Sequence, residues 1–513
     1  MYLVGGNAGG GTNSSIGLLA SLGTCPAAGN FATATPYVFM DEVSTIAAAY
    51  ALAGFATDAT HVSSSGTVLA QTGVQNAFAN AANLSSLSTG VALATTPAVN
   101  GTVPQAQINT LANILAACIN SASPSFTTCS TLFSNALSAG SSGTTATDTA
   151  TAAINIAHNP ASNIAALFGL VTGTPPFSPA LSSQPNDFTI ALNFTGGGLS
   201  GSNAIAIDGS GNVWVTNYSN NSVTKLTSAG AIVTGSPFTG GGVRQPKGIA
   251  IDGTGNAWIT NYYDNSGNSV AKLSSTGTAL SGSSGFTGGG LAGPYGIAID
   301  GSDNIWATNY ASPYSVTKLS STGAAISGSS GFTGVYMPVA IAIDSSGNAW
   351  VAEAYGANKF TSAGAFTAGY NGGGVYYPQG IAFDSFGNVW LPNSVTKFTS
   401  AGVAVSGSPF KGGGLTFPYG LAIDGTGNAW VANPNSNGLT ELTNSGAAVS
   451  GSSGFTGGGL NEPYATAIDG SGNVWVPNET GNSVTEFIGA ATPVVTPLVA
   501  NLMTPYSAPA SKP

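Results

Sequence analysis

The sequence predicts a mainly-β protein, a seven-bladed β-propeller over residues 187–488 closed by pairing its two ends and preceded by a small, mostly α-helical domain. Three observations predict it. A motif recurs along the second half of the chain, clearest as Gly248-Ile-Ala-Ile-Asp252-Gly-Thr-Gly-Asn256-Ala-Trp258-Ile-Thr-Asn261. All seven tryptophans of the 513-residue chain hold one position of it: Trp214, Trp258, Trp306, Trp350, Trp390, Trp430 and Trp475. Their spacing, about forty to forty-eight residues, is the length of a four-stranded blade.

Each blade can be read strand by strand. Apolar alternation puts Ile249 and Ile251 on one strand face, and a second strand runs through Trp258. Between them Asp252-Gly-Thr-Gly-Asn256 makes a tight hairpin, with the aspartate accepting backbone N–H bonds in the turn. The same role is expected of Asp208, Asp300, Asp344, Asp384, Asp424 and Asp469. A third strand carries Lys225, Lys272, Lys318, Lys359 or Lys397, replaced by Glu441 and Glu486 in the last two blades, and reads as a solvated rim. The tryptophans are expected between blades, as core.

The Phe-Thr-Gly-Gly-Gly element, or a looser version, begins at Phe194, Phe238, Phe286, Phe332, Tyr370, Phe410 and Phe455. The first copy precedes the first tryptophan motif, and none follows Ser483-Val-Thr-Glu-Phe487. The strand near Phe194 is therefore expected to complete the last blade and remove the open edge.

Ahead of the repeats, residues 1–11 start on the strand-like Tyr2-Leu-Val4, and the chain reads as a mature or truncated form. Residues 12–172 show helical periodicity at 41–55, 74–84, 105–120, 130–137 and 148–157. Asn159-Pro160 reads as a helix start leading into 164–170. Residues 173–186 are a Pro/Ser-rich linker, and 489–513 an extended, proline-interrupted tail.

Composition narrows function. Apolar residues make up 42% of the chain and charged residues only 5%, with a net charge of −10 and no Lys or Arg before Lys225. That excludes a basic patch for nucleic acid and the polybasic route to anionic membranes. No apolar run is long enough to span a bilayer. Cys118 and Cys129 flank a Ser/Pro loop and suit a disulfide in an oxidising compartment, two buried thiols being the alternative; Cys25 has no evident partner. Asn-x-Ser/Thr sequons at Asn13, Asn83, Asn100, Asn193, Asn217, Asn220 and Asn478 make attached glycans an option.

The repeat, with its Gly-Ile-Ala-Ile-Asp-Gly-x-Gly-Asn-x-Trp-Val-x-Asn core and Asn-Ser-Val-Thr-Lys-Leu sequel, resembles NHL-repeat propellers and especially the streptogramin-lyase-like group of secreted bacterial proteins. The resemblance implies an extracellular or cell-surface location. In such lyases it implies a histidine base with magnesium near the central channel, but the only histidines here, His61 and His158, lie outside the repeats. Lactonase-type propellers hold a divalent cation with Glu, Asn and Asp around the axis. The counterparts here are Asn217, Asn261, Asn309, Glu353, Asn393, Asn433 and Asn478, read as an axial polar ring with too little charge for a hard cation. The expectation is therefore a chain without catalytic residues, metal or cofactor: an extracellular scaffold or adhesive subunit that self-associates, as a filament, through a terminal segment. The alternatives are a secreted lyase- or lactonase-like enzyme or a monomeric ligand-binding propeller.

Overall fold

The computed structural model describes residues 1–496 except 9–10, 24, 27–28, 32–34, 36, 122–126 and 263–267. The chain is mainly β, in many small antiparallel sheets. Among the described residues, seven of these sheets carry one tryptophan each. The first is built of Ser202–Ile207, Val213–Asn217 and Ser222–Leu226, and the second of Pro246–Ile251, Ala257–Asn261 and Ser269–Leu273. The third is Pro294–Ile299, Ile305–Asn309 and Ser315–Leu319; the fourth adds Phe366–Asn371 to Ala340–Ile343, Ala349–Glu353 and Gly356–Phe360. The fifth and sixth have their tryptophans on Val389–Leu391 and Ala429–Asn433. The seventh joins Ala467–Ile468, Val474–Asn478 and Ser483–Phe487 to Ala191–Phe194 and then Gly101–Thr102.

The seventh sheet thus takes its fourth strand from upstream of the first. Phe194 pairs with Val484 and Ala191 with Phe487. Phe194 also stacks on Trp475 at 5.6 Å, as Phe455 stacks on Trp430 at 5.7 Å. In six sheets an aromatic of the outer strand covers the tryptophan of its own sheet, and Phe194 does so for the seventh. Beyond the ring sits a glycine of the next sheet, because nothing larger fits. A Cβ on Gly277 would lie 2.1 Å from Phe238, and one on Gly230 of the first sheet 2.1 Å from Phe194. The first strands of the seventh and first sheets pack side by side.

All seven tryptophans are buried, each among residues of its own and a neighbouring sheet; Trp214, for example, packs with Ile249, Ile251 and Ile259 of the second.

The N-terminal helices are Glu42–Ala51, Val68–Asn80, Gln105–Ile119, Thr127–Asn135, Thr149–His158 and Ile164–Phe168. Asp41 and Asp148 cap two of them. The last starts at Asn163, not at Asn159, which instead closes the preceding helix. One hydrophobic core runs from Ile46, Leu111 and Ile154 of the helices into Ile205, Val215, Trp475 and Val484 of the sheets, so the helical region shares its core with the first and last sheets. Helix Val68–Asn80 touches the seventh sheet at Gly73, where a Cβ would collide with the Gly470 carbonyl. The Cys118–Cys129 disulfide is formed, and Cys25 is exposed and outside it.

The described parts of both terminal segments make their contacts within the chain, so nothing here supports the expectation of a filament joined through one of them. Tyr2–Asn7 pairs antiparallel with Thr12–Leu19, so its backbone is satisfied by a hairpin. The tail runs back over the sheets: Ala491 N–H donates to Gly472, Thr496 N–H to Ile468, and Ile207 N–H to the Thr496 carbonyl. Val494 and Val495 are buried there. The rest of the tail, 497–513, lies outside the described residues. No helix among the described residues is long and apolar enough to cross a membrane.

Candidate functional site

The lysines of the third strands are not a solvated rim. Lys225, Lys318 and Lys397 are buried, and each of the five pairs with the turn aspartate of its own sheet, at 3.0 Å for Lys225–Asp208 and 2.9 Å for Lys397–Asp384. The same carboxylate accepts the tryptophan Nε1–H, as Asp300 does from Trp306 at 3.0 Å. The ammonium lies over that indole, 4.5 Å from the Trp306 ring, and donates to a turn carbonyl of the next sheet, Ser362 in this case. The turn aspartates also accept backbone N–H bonds in their hairpins, as Asp300 does from Ser302 and Asn304. Burial raises Asp300, but bonds from Trp306, Lys318 and Asn304 outweigh it and hold the carboxyl below its usual range.

Where glutamate replaces lysine, the chemistry inverts. Glu486 is fully buried and keeps one oxygen without a hydrogen-bond partner among the described residues. Burial, and then the neighbouring Asp469, push it well above the ordinary glutamate range; burial also raises Asp469. The bridge to the first sheet is supplied instead by Asn80 of the helical region, with its amide oriented to donate to the Ser228 carbonyl and accept from Asn473.

The seven residues expected to form an axial polar ring make local hydrogen bonds. Asn217, Asn261, Asn309, Glu353, Asn433 and Asn478 end the second strands, and Asn393 lies just beyond its own. Each bonds within its own sheet and loop. Asn309 accepts from the Ala292 N–H and donates to Ser315 and Thr317; Asn478 does the same with Asn461, Ser483 and Thr485. Glu353 fits this plan: it accepts from the Tyr336 N–H at 2.7 Å and from Asn358, which stands where five of the other sheets have threonine. Burial raises its pKa despite the Tyr336 N–H. These side chains pin loops.

Where the first strands of the sheets converge, the lining is mostly apolar. One cavity of about 180 Å³ is lined by Ile205, Ile251, Ile299, Ile343, Phe383 and Ile423 of six first strands, with Thr466 of the segment leading into the seventh and Thr496 of the tail. A second, of about 190 Å³, shares Ile205, Ile297 and Leu421 with it and opens among different residues.

At that second mouth the repeat stops being uniform. The residue five positions before each turn aspartate is Asn203, Lys247, Tyr295, Val339, Gln379, Tyr419 and Tyr464 in turn. Lys247 lies 4.4 Å from the Tyr218 ring and 5.6 Å from Tyr295. Burial lowers its pKa, opposed by the attraction of Glu479. Tyr295 and Tyr419 lie close to one another, and Tyr419 and Tyr464 pack at 4.4 Å. Burial pushes Tyr295 well above the ordinary phenol range and Tyr419 up to about 12, so both remain neutral hydroxyls at physiological pH. Burial and then the nearby charge of Glu479 raise Tyr464 as well. Among the described residues no three His, Cys, Asp or Glu side chains converge as a metal site requires. The arrangement offers aromatic faces, several hydroxyls, two amides, one ammonium and one carboxylate around an opening.

The histidines lie elsewhere. His61 contacts Asp58 on the surface, and His158 Nε2 lies 2.7 Å from the Ala53 carbonyl at a helix end. Of the sequon asparagines, Asn13, Asn83, Asn217 and Asn478 are buried and Asn220 is exposed, so burial bars a glycan from most of the sites proposed for one.

No protein-family model matches the chain, and comparison with curated proteins gives no match. Solved structures similar to it are propeller proteins of the streptogramin-lyase and gluconolactonase kinds. A streptogramin B lyase is 19% identical, with a TM-score of 0.47 over 58% of this chain and 97% of that one. Virginiamycin B lyase from Staphylococcus aureus is 16% identical, with 0.44 over 58% and 98%. A gluconolactonase from Xanthomonas campestris is 12% identical, with 0.38 over 58% and 89%. Likenesses this distant assign no activity to the chain.

Proposed function

We propose that the chain is a ligand-binding β-propeller: the seven tryptophan sheets are the blades of one ring, closed by 191–194 on 483–487, and a small, hydroxyl-rich ligand binds at the mouth around Lys247, Tyr295, Tyr419 and Tyr464. One observation carries the reading. At a repeat position lining the mouth, sequence uniformity gives way to seven residues of which no more than three are alike, while the turn aspartates and tryptophans stay constant. Packing needs sameness there; recognition needs difference. The tyrosine hydroxyls supply donors and acceptors, their rings a face for apolar C–H groups, and Lys247 a charge-assisted donor. A lyase- or lactonase-like activity at the same mouth would have to work through Lys247 and Glu479, the titratable pair it brings together.

The test is thermal unfolding against a panel of mono- and disaccharides, sugar acids and aldonolactones. A ligand at about a hundred times its Kd adds about 2.7 kcal/mol of stability. The reading expects at least one compound to raise Tm for the intact chain and to lose that effect with Lys247→Met and Tyr419→Phe. A panel without effect, or one whose hits stabilise those variants equally, would refute it.

A further inference from the structure

We infer that an uncharged polysaccharide lies across the face of the mouth, its sugar rings stacked along a strip of tyrosines leading outward over the third to fifth sheets. This rests on the ligand-binding reading of the mouth and names the class of its ligand. The strip is continuous. Tyr295 at the mouth touches Tyr310 at 5.7 Å, and Tyr310 lies close to Tyr314. Tyr314 contacts Tyr336 at 5.3 Å, and Tyr336 and Tyr355 lie nearly parallel, 5° apart in plane and 6.2 Å between centres. Tyr355 then meets Tyr377 at 6.0 Å.

Packing does not demand these rings. Tyr336 and Tyr376 stand in the loop that the second-strand Asn or Glu pins, and the same position in the other sheets is Ser200, Arg244, Ala292, Thr416 or Asn461. Small and polar residues suffice where no strip is needed. Yet Tyr336, Tyr355 and Tyr376 remain 49%, 52% and 60% exposed, side by side, and contiguous exposed aromatic surface marks an interaction site.

Charge selects the occupant. The carboxylate nearest the strip's centre, Glu353, is spent on the Tyr336 and Asn358 N–H groups, and the polar groups beside the strip include the amides of Gln379 and Asn393. Beyond Lys247 at its inner end, such a surface offers little to an anionic membrane or a charged peptide. A pyranose ring complements it: its C–H face covers an aromatic ring while its hydroxyls meet the phenols and amides at the rim. Tyrosine rather than phenylalanine is the residue for a contact with one wet edge. At the axis the strip runs into the buried hydroxyl cluster, where a chain end would be held.

Native gels cast with dextran, hydroxyethylcellulose, xylan or mannan test this on the full chain. At least one glycan is expected to retard the protein, with the apparent affinity falling about tenfold in the double variant Tyr336→Ala/Tyr355→Ala. The exposed Phe386, in a turn outside the strip, is the control, and Phe386→Ala should be retarded like the parent; unchanged Tm in both variants shows that they fold. No retardation by any of the four, or equal retardation of the double variant, overturns the inference. If saccharides still raise Tm through Lys247 while no glycan retards the chain, the strip falls and the mouth stands; if neither happens, both fall.

Discussion

Truncating Phe194 to alanine isolates the contact on which the proposed ring closure depends. The residue lies upstream of the first sheet, yet it is fully buried in the seventh, stacked on Trp475 and covering Gly230 of the first. Removing a fully buried phenylalanine costs about 3–5 kcal/mol in a closed core. On an open edge it would cost less than about 1 kcal/mol. Phe455→Ala, which strips the equivalent ring from Trp430, is the internal standard, because Phe455 is equally buried. Equilibrium urea unfolding followed by tryptophan fluorescence should give similar losses for both. Gly230→Ala sharpens the test: the residue has φ of +75°, and its new Cβ would press on Phe194. In the parent that substitution carries both backbone strain and the clash; beside Phe194→Ala only the strain remains. The costs should therefore fall short of additive by about 0.5–3 kcal/mol. Additive costs, or a Phe194→Ala loss below about 1 kcal/mol, would mean that the seventh and first sheets do not meet through this ring.

Lys318→Met leaves Asp300 without the ammonium 3.0 Å away, and breaking a buried pair of this kind should cost about 3–5 kcal/mol by denaturant titration; a loss below about 1 kcal/mol would return the lysines to the surface role. Because Asp300 is held below its usual range, its contribution is present above the unfolded value of about 3.9 and lost as pH falls through the depressed value, a dependence that Lys318→Met should weaken. Glu486 has the opposite sign: its folded pKa is raised, so the folded state holds a proton that the unfolded state gives up near pH 4.3, and stability falls as pH rises from there to the folded value. Glu486→Gln should remove that decline and stabilise the chain at neutral pH; an unchanged pH profile would contradict the burial of the pair. Truncation after Ala490 removes Val494, Val495 and the Thr496 bonds, and should lower stability by about 3 kcal/mol or more while light scattering finds the intact chain monomeric; filaments from the intact chain that vanish on truncation would restore the assembling subunit.

The repeat was legible because its period is enforced by geometry that every sheet shares. A turn Asp, an inward Trp and an outer-strand aromatic recur together, and the helices at 105–119 and 149–158 declare themselves by their apolar period. The lysines were misread because a recurring charge looks the same on a rim as in a core; the signal lay in pairing each with the aspartate six residues before the tryptophan. Glu353 stood out as the one acid among six amides, but its partner Asn358, replacing a threonine, already hinted at a local exchange. The mouth was missed for a different reason. Asn203, Lys247, Tyr295 and Val339 are unlike one another, so a search for repetition discards the position they share. Aligning the repeats and asking where they disagree beside the conserved Ile-Ala-Ile strand would have found it. That the helical region shares its core with the first and last sheets was beyond reach, since Asn80 and Gly73 carry no mark of their distant partners.

The most direct measurement is ¹³C NMR of the intact chain labelled at tyrosine side chains, titrated with whichever saccharide or sugar acid raises Tm most. Resonances of Tyr295, Tyr419 and Tyr464, assigned by single Tyr→Phe variants, should move together and saturate with one Kd, while Tyr50, buried against Phe188 in the helical region, stays fixed. Shifts confined to tyrosines away from the mouth, or a mouth cluster that remains unmoved at saturation, would contradict the assignment of ligand binding to this end of the axis.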